Sequence, residues 1–217
     1  MNEATPISLL MVSHELKNSL TLIRSSLQIV ESRHLEVVND PLWMQMCSDV
    51  DYMQCLVSDL SMVDSNSDVK KNCINVQQLM VEIEGMFAEK LMVQKKEYRF
   101  FCDMRELYLE GNALKIRQML INLIQNAVEA TVAGERIEVR AYKDEETICF
   151  RVSDTGNGMN KEQMETIFCP FVTYKANGTG LGMVIVKNIV DAHDGKISVH
   201  SVENEGTQVT VRLPISK

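Results

Sequence analysis

Apolar residues recur at Leu9, Leu16, Leu20, Ile23, Leu27 and Val30, and the later steps alternate four and three. That spacing is a heptad seam and predicts a helix from residue 5 to about 33. Pro6, just after Thr5, suits the first turn of such a helix. A turn signal follows at Asn39-Asp40-Pro41, and the alternation resumes at Met46, Val50, Met53, Val57 and Leu60. Two helices joined by a short loop form an antiparallel hairpin. One hairpin offers too little partner surface to bury its seam. A homodimer closing a four-helix bundle is therefore expected; the competing arrangement packs the seam on the rest of the same chain.

The pattern changes after a polar, serine-rich stretch at 64–72. We place a helical unit at 1–66, a linker at 67–74 and a second unit at 75–217. There the periods mix. Helices are expected at Val76–Val93, Leu114–Thr131 and Gly180–Ala192, and short strands at Glu97–Cys102 and Leu107–Leu109. Arg136–Lys143 and Thr147–Ser153 alternate like the strands of a hairpin, and Lys196–Val202 with Thr207–Leu213 is expected to form a second. The fold class is α+β: a helical hairpin followed by a two-layer α/β sandwich, a mixed sheet with helices on one face.

Composition removes several function classes. The net charge of -8 argues against a nucleic-acid binder. The six cysteines form no C-x-x-C pair and are expected to be free thiols in a reducing cytoplasm. No apolar run is long enough for a transmembrane helix or a signal peptide, so no direct membrane insertion is expected. Any stimulus would arrive through a separate sensor protein, unless the chain is part of a longer one.

Half of the ten glycines fall between Asp154 and Gly182. Asp154 ends a strand before Gly156 and Gly158, and its carboxylate can accept a hydrogen bond from an exocyclic amine such as that of adenine. Asn122 and Asn126 stand one helical turn apart in an apolar helix. An amide oxygen is a hard ligand that suits magnesium shared with phosphate. Gly178-Thr179-Gly180-Leu181-Gly182 precedes a helix, where backbone N–H groups form an anion cradle. Lys175 lies just upstream, either reaching a phosphate or standing as a solvated loop cation. The P-loop and Rossmann patterns are both absent.

These boxes, Asn122–Ala127, Asp154–Met159, Phe168–Phe171 and Gly178–Gly182, with Gly206-Thr207 and Val211–Pro214 behind them, resemble the ATP-binding domain of sensor histidine kinases. That domain is of the GHKL (Bergerat) type, shared with Hsp90, DNA gyrase B and MutL. Ser13-His14-Glu15-Leu16-Lys17-Asn18 resembles the phosphoacceptor box of the dimerisation and histidine phosphotransfer domain. The resemblance spans residues 5–214.

The resemblance implies ATP and Mg²⁺ as cofactors, with adenine at Asp154 and Thr207 and the metal on Asn126. Residues 159–179 would form a lid anchored by Phe168 and Phe171. His14 would accept the phosphoryl group, Glu15 would hold or take its other ring proton, and Asn18 would orient a water for dephosphorylating the partner. That partner would be the receiver domain of a response regulator. His34, His193 and His200 carry no such neighbours and are read as helix-end, turn and strand surface residues. Ser19 stands where the family usually has proline, Asn112 where it often has aspartate, and Glu129 where many members carry lysine. Two rival readings are a phosphatase or phosphotransfer protein with weak kinase activity, and a non-catalytic dimerisation module.

Overall fold

The computed structural model describes residues 9–215 except 41, 45, 48, 49, 51, 52, 55, 56, 58–71, 104–106, 176 and 177. Of residues 9–14, 35 and 39 only the backbone is described. The chain divides into two compact units, Met1–Asn66 and Ser67–Lys217.

The first unit opens with α1 (Leu9–Arg33), followed by a 3-10 turn (Leu35–Asn39). The described residues between 42 and 57 are helical and are called α2. Asp40 caps α2, its Oδ1 accepting from the backbone N–H of Leu42 at 2.8 Å and of Trp43 at 3.2 Å. Trp43 Nε1 donates to Glu31 Oε1 at 3.1 Å and Cys47 Sγ to the same oxygen at 3.5 Å, which fixes an antiparallel register. That register brings Leu27 level with Val50 and Leu20 with Val57, and all four are buried. The alternate seam positions stay open: Leu16 44%, Ile23 47%, Met46 42% and Met53 42% exposed. Ser19 Oγ donates to the Glu15 carbonyl at 2.9 Å, and Thr21, Ser25 and Ser26 repeat this i−4 bond. Such back-bonding bends a helix gently without removing a backbone donor as proline does.

The second unit begins with β1 (Asn72–Asn75), which takes the last residues of the expected linker and pairs antiparallel with β3 (Tyr108–Gly111). Between them run α3 (Val76–Val93) and β2 (Glu97–Cys102). Then come α4 (Ala113–Ala130), β4 (Arg136–Asp144), β5 (Thr147–Asp154), α5 (Lys161–Thr166), α6 (Gly182–Ala192), β6 (Lys196–Val202) and β7 (Gly206–Pro214). The main sheet has the order β2-β4-β5-β7-β6, parallel only between β2 and β4. Ile137, Val139, Phe150, Val152, Val209 and Val211 point to one face, where they are buried with the apolar stripes of α3, α4 and α6. The opposite face carries arginines lying on aromatic rings, Arg140 over Phe101 and Arg151 over Tyr142. This is the expected two-layer α+β sandwich.

His193 is a correction. It was expected at the surface and is 3% exposed. Its Nδ1 lies 2.7 Å from the Ile189 carbonyl, and its Nε2 accepts from the Asn112 backbone N–H at 3.0 Å. The ring therefore joins the end of α6 to the start of α4. His193→Ala opens a cavity and leaves that N–H without its acceptor, so it lowers stability by about 2–4 kcal/mol. Urea unfolding of the full chain, followed by circular dichroism, measures the loss.

Candidate functional site

Helix α4 supplies the floor. Asn112 caps it, its Oδ1 accepting from Lys115 N at 3.1 Å. Seven apolar residues from Ile116 to Val128 face the core, which leaves Asn122 and Asn126 half-buried on the other side. Asn122 Oδ1 accepts from Gln118 Nε2 at 3.2 Å, and its Nδ2 donates to the Gly182 carbonyl at 3.4 Å, tying α4 to the start of α6. Asn126 Oδ1 accepts from Lys175 Nζ at 2.9 Å. The same ammonium lies 2.5 Å from Glu129 Oε2, and Gln125 Nε2 donates to Glu129 Oε1 at 2.6 Å. Burial works against ionisation of Glu129, but hydrogen bonds from Lys175 and Gln125 together with the charges of Lys175 and Lys90 outweigh it and hold the carboxyl below its ordinary range. Glu129 was read only as a missing cation. Its pairing spans 46 residues and leaves no local sequence signal.

Asp154 closes β5 opposite Thr207 of β7. Its Oδ1 accepts from the Gly156 N–H at 3.0 Å. Burial pushes its carboxyl above the usual aspartate range, opposed by hydrogen bonds from the Gly156 and Thr207 backbone and by the charge of Lys175. Thr207 Oγ1 lies 2.8 Å from Ser201 Oγ. The turn after Asp154 needs its glycines. A Cβ on Gly156 would fall 2.1 Å from the Ala130 carbonyl oxygen, and Gly158 has φ +60 with a Cβ position 1.9 Å from the Val202 carbonyl oxygen. The turn is thereby pressed between the end of α4 and the β6–β7 hairpin.

The segment after that turn contains α5, a six-residue helix absent from the expected layout and closed by a capping box of Asn160 and Gln163. Phe168 is half-buried. Phe171, expected as a second anchor, is 64% exposed with φ +63, so it anchors nothing among the described residues. Its backbone instead pairs with Gly180, N–H to carbonyl at 3.2 Å. Gly178 sits against Thr173, and Thr179 Oγ1 accepts from Leu181 N at 3.2 Å. The Leu181 side chain is fully buried, so it offers a ligand only its backbone. Helix α6 begins at Gly182 without a side-chain cap, which leaves its first N–H groups for an anion. A Cβ on Gly182 would meet nothing within 4 Å.

These positions fit a nucleotide with its metal. An uncapped helix start opens onto free space, and a cation already sits on the Asn126 amide oxygen. Among the described residues no group of three or more His, Cys, Asp and Glu could hold a metal, so a metal at Asn126 would take the rest of its shell from water or a bound ligand. A hollow of about 350 Å³ between Asp144, Lys196 and Arg212 lies at the other end of β5 and shares no residue with this site. Glu15 and Asn18 are exposed on α1. The backbone of His14 belongs to α1, and its side chain lies outside the described residues. Among the described residues no helix is long and apolar enough to cross a membrane.

Residues 111–217 match the family "Histidine kinase-, DNA gyrase B-, and HSP90-like ATPase". Sporulation kinase B of Bacillus subtilis is 31% identical over 214 residues, covering 94% of this chain and 48% of that protein. The nucleotide-free catalytic domain of histidine kinase ThkA is 34% identical, with a TM-score of 0.62, over 66% of this chain and 95% of that domain. ThkA in complex with its response regulator protein TrrA matches 95% of this chain and 60% of its own at 24% identity and a TM-score of 0.69, which speaks for the fold alone. The chain spans half or less of the curated relatives it matches first. With the α4 asparagines, the Asp154 turn and the glycine start of α6 in one site, it belongs to the sensor histidine kinase family.

Proposed function

We propose that the second unit binds ATP and transfers its γ-phosphoryl group to His14 of the first unit, which then passes it to an aspartate of a response regulator receiver domain. The observation that carries this reading is the grouping of Asp154, Asn126 and Lys175 with the uncapped start of α6. Each matches one part of a nucleotide: amine, metal and phosphates. The Asp154 carboxylate and Thr207 orient the adenine. The N–H groups of Gly180 and Gly182 and the Lys175 ammonium take the phosphate charge. Asn126 would hold Mg²⁺, which would supply positive charge against the charge that develops on the phosphates. Transfer is then mostly positioning and charge stabilisation: an imidazole nitrogen bonds the γ-phosphorus as its bond to the bridging oxygen breaks, and ADP leaves. Glu15 holds the second ring proton, and Asn18 orients a water for the reverse, dephosphorylating step. The reaction runs in the cytoplasm.

The two units act as a dimerisation and phosphotransfer domain and a catalytic domain. Among the described seam residues Leu20, Leu27, Val50 and Val57 are buried and Leu16, Ile23, Met46 and Met53 are open, which favours a homodimer over a lone hairpin. Ile23→Lys places a charge among those open residues and weakens self-association about tenfold or more, because it forfeits the burial of one large side chain. Sedimentation equilibrium reads the change. The function itself is tested by titrating Mg-ATP calorimetrically and following label from γ-labelled ATP. Absence of both binding and label defeats the proposal.

A further inference from the structure

Lys175 and the α4 side chains around it form the most connected polar cluster of the site, and one member has no role in the reading above. Two residues of α4, Asn126 and Glu129, meet a lysine 46 residues beyond Glu129, and Gln125, one turn earlier, holds Glu129. Glu129 lies one helical turn after Asn126, on the same face. Gln125 occupies Glu129 Oε1 and so leaves Oε2 turned to the ammonium. The Thr173 hydroxyl accepts from the Lys175 N–H at 3.2 Å and fixes the backbone that presents it. From Asn122 to Ala130 the helix carries no lysine or arginine, so any protein cation near the phosphates has to come from elsewhere.

We propose that Glu129 is a positioning residue: it parks Lys175 on Asn126 while the nucleotide site is empty, the ammonium standing where the metal would sit. It keeps the lysine beside the phosphates once the amide oxygen is taken. The inference rests on the ATP and Mg²⁺ reading for that second step. A neutral amide oxygen alone holds an exposed ammonium weakly, whereas a carboxylate adds charge to the same hydrogen-bonded group. The pair also cancels the negative charge that Glu129 would otherwise set beside incoming phosphates. The lysine would then give up the Asn126 oxygen to a metal by a side-chain rotation, one cation replacing another.

Limited digestion of the full chain with trypsin, without nucleotide or metal, tests the parking directly. Trypsin must take the lysine side chain into its own pocket, so Lys175 is cut only when the pair is open. Mass spectrometry follows cleavage after Lys175. Glu129→Gln raises that rate about threefold to fivefold, as expected for an exposed ion pair, with other cleavage rates and Tm unchanged. Glu129→Asp restores part of the protection. Equal rates in the wild type and Glu129→Gln overturn the proposal. Faster cleavage at every site overturns it too, because Glu129 would then support the fold instead of the lysine. In a separate arm Mg-ADP is added. If it leaves the wild-type rate unchanged while the Glu129→Gln difference persists, the nucleotide reading falls and the parking stands.

Discussion

His14→Gln abolishes incorporation of acid-labile, alkali-stable label from γ-labelled ATP, by about a hundredfold or more, while the Kd for Mg-ATP is unchanged. Glutamine keeps the polarity and much of the length of histidine. Its amide nitrogen has no basic lone pair, since that pair is shared with the carbonyl, so it cannot attack phosphorus. Removing a nucleophile outright costs two or more powers of ten in related cases, far beyond the effect of a positioning group. Every proposed nucleotide contact lies in the Ser67–Lys217 unit, and His14 lies in the other, which is why binding survives. Glu15→Gln produces a smaller loss, because the imidazole keeps its lone pair and loses only the group that holds its proton. Asn18→Ala spares uptake of label and slows its loss from a phosphorylated regulator. Equal label on the wild type and His14→Gln would exclude His14 as the acceptor and leave the ATP site untouched.

Much of this arrangement was legible because period and burial agree. Strand β4 alternates because one sheet face packs on helices, whereas β5 and β7 also bury Cys149 and Thr210 on the opposite face; the expected bounds of β4, β5, β6 and β7 hold to within one residue. Helices α3 and α4 were legible for the matching reason: each has one continuous apolar stripe. The elements missed are those whose stability is not local. Strand β1 has a single buried residue, Ile74, and exists because β3 pairs with it. Helix α5 buries nothing and is held by its cap; the Asn160-x-x-Gln163 spacing was its only signal. His193 is buried through contacts with Ile189 and the distant Asn112. Phe171 reads as an apolar anchor, yet its left-handed backbone beside Gly180 turns it outward. The candidate site residues stood out as boxes because glycine, aspartate and asparagine are selected by backbone geometry and donor type. Glu129 was not, because its partner comes from another box.

Asp154→Asn weakens ATP binding by about thirtyfold or more, corresponding to about 2 kcal/mol, without lowering the stability of the free protein. The amide oxygen of asparagine can keep the Gly156 hydrogen bond. Its NH₂ group, however, meets the adenine amine donor to donor, and the charge-assisted bond is lost. Stability moves the other way. Burial raises the Asp154 carboxyl in the folded state above its unfolded value, so the folded chain binds that proton more tightly. The stabilisation is full below the unfolded pKa and is lost as pH rises through the folded one. At neutral pH the ionised carboxylate is therefore a cost, which the neutral amide removes. Nucleotide binding has the opposite slope: protonation removes the charged acceptor, so affinity falls as pH drops, beginning above the ordinary aspartate value of 3.8. Phosphate groups of ATP titrate in the same region in both proteins. The comparison that isolates Asp154 is calorimetry of the wild type and Asp154→Asn from pH 7.5 downward, at fixed Mg²⁺. The wild type loses affinity more steeply, and the two curves converge at low pH. Parallel curves would remove Asp154 from the adenine contact.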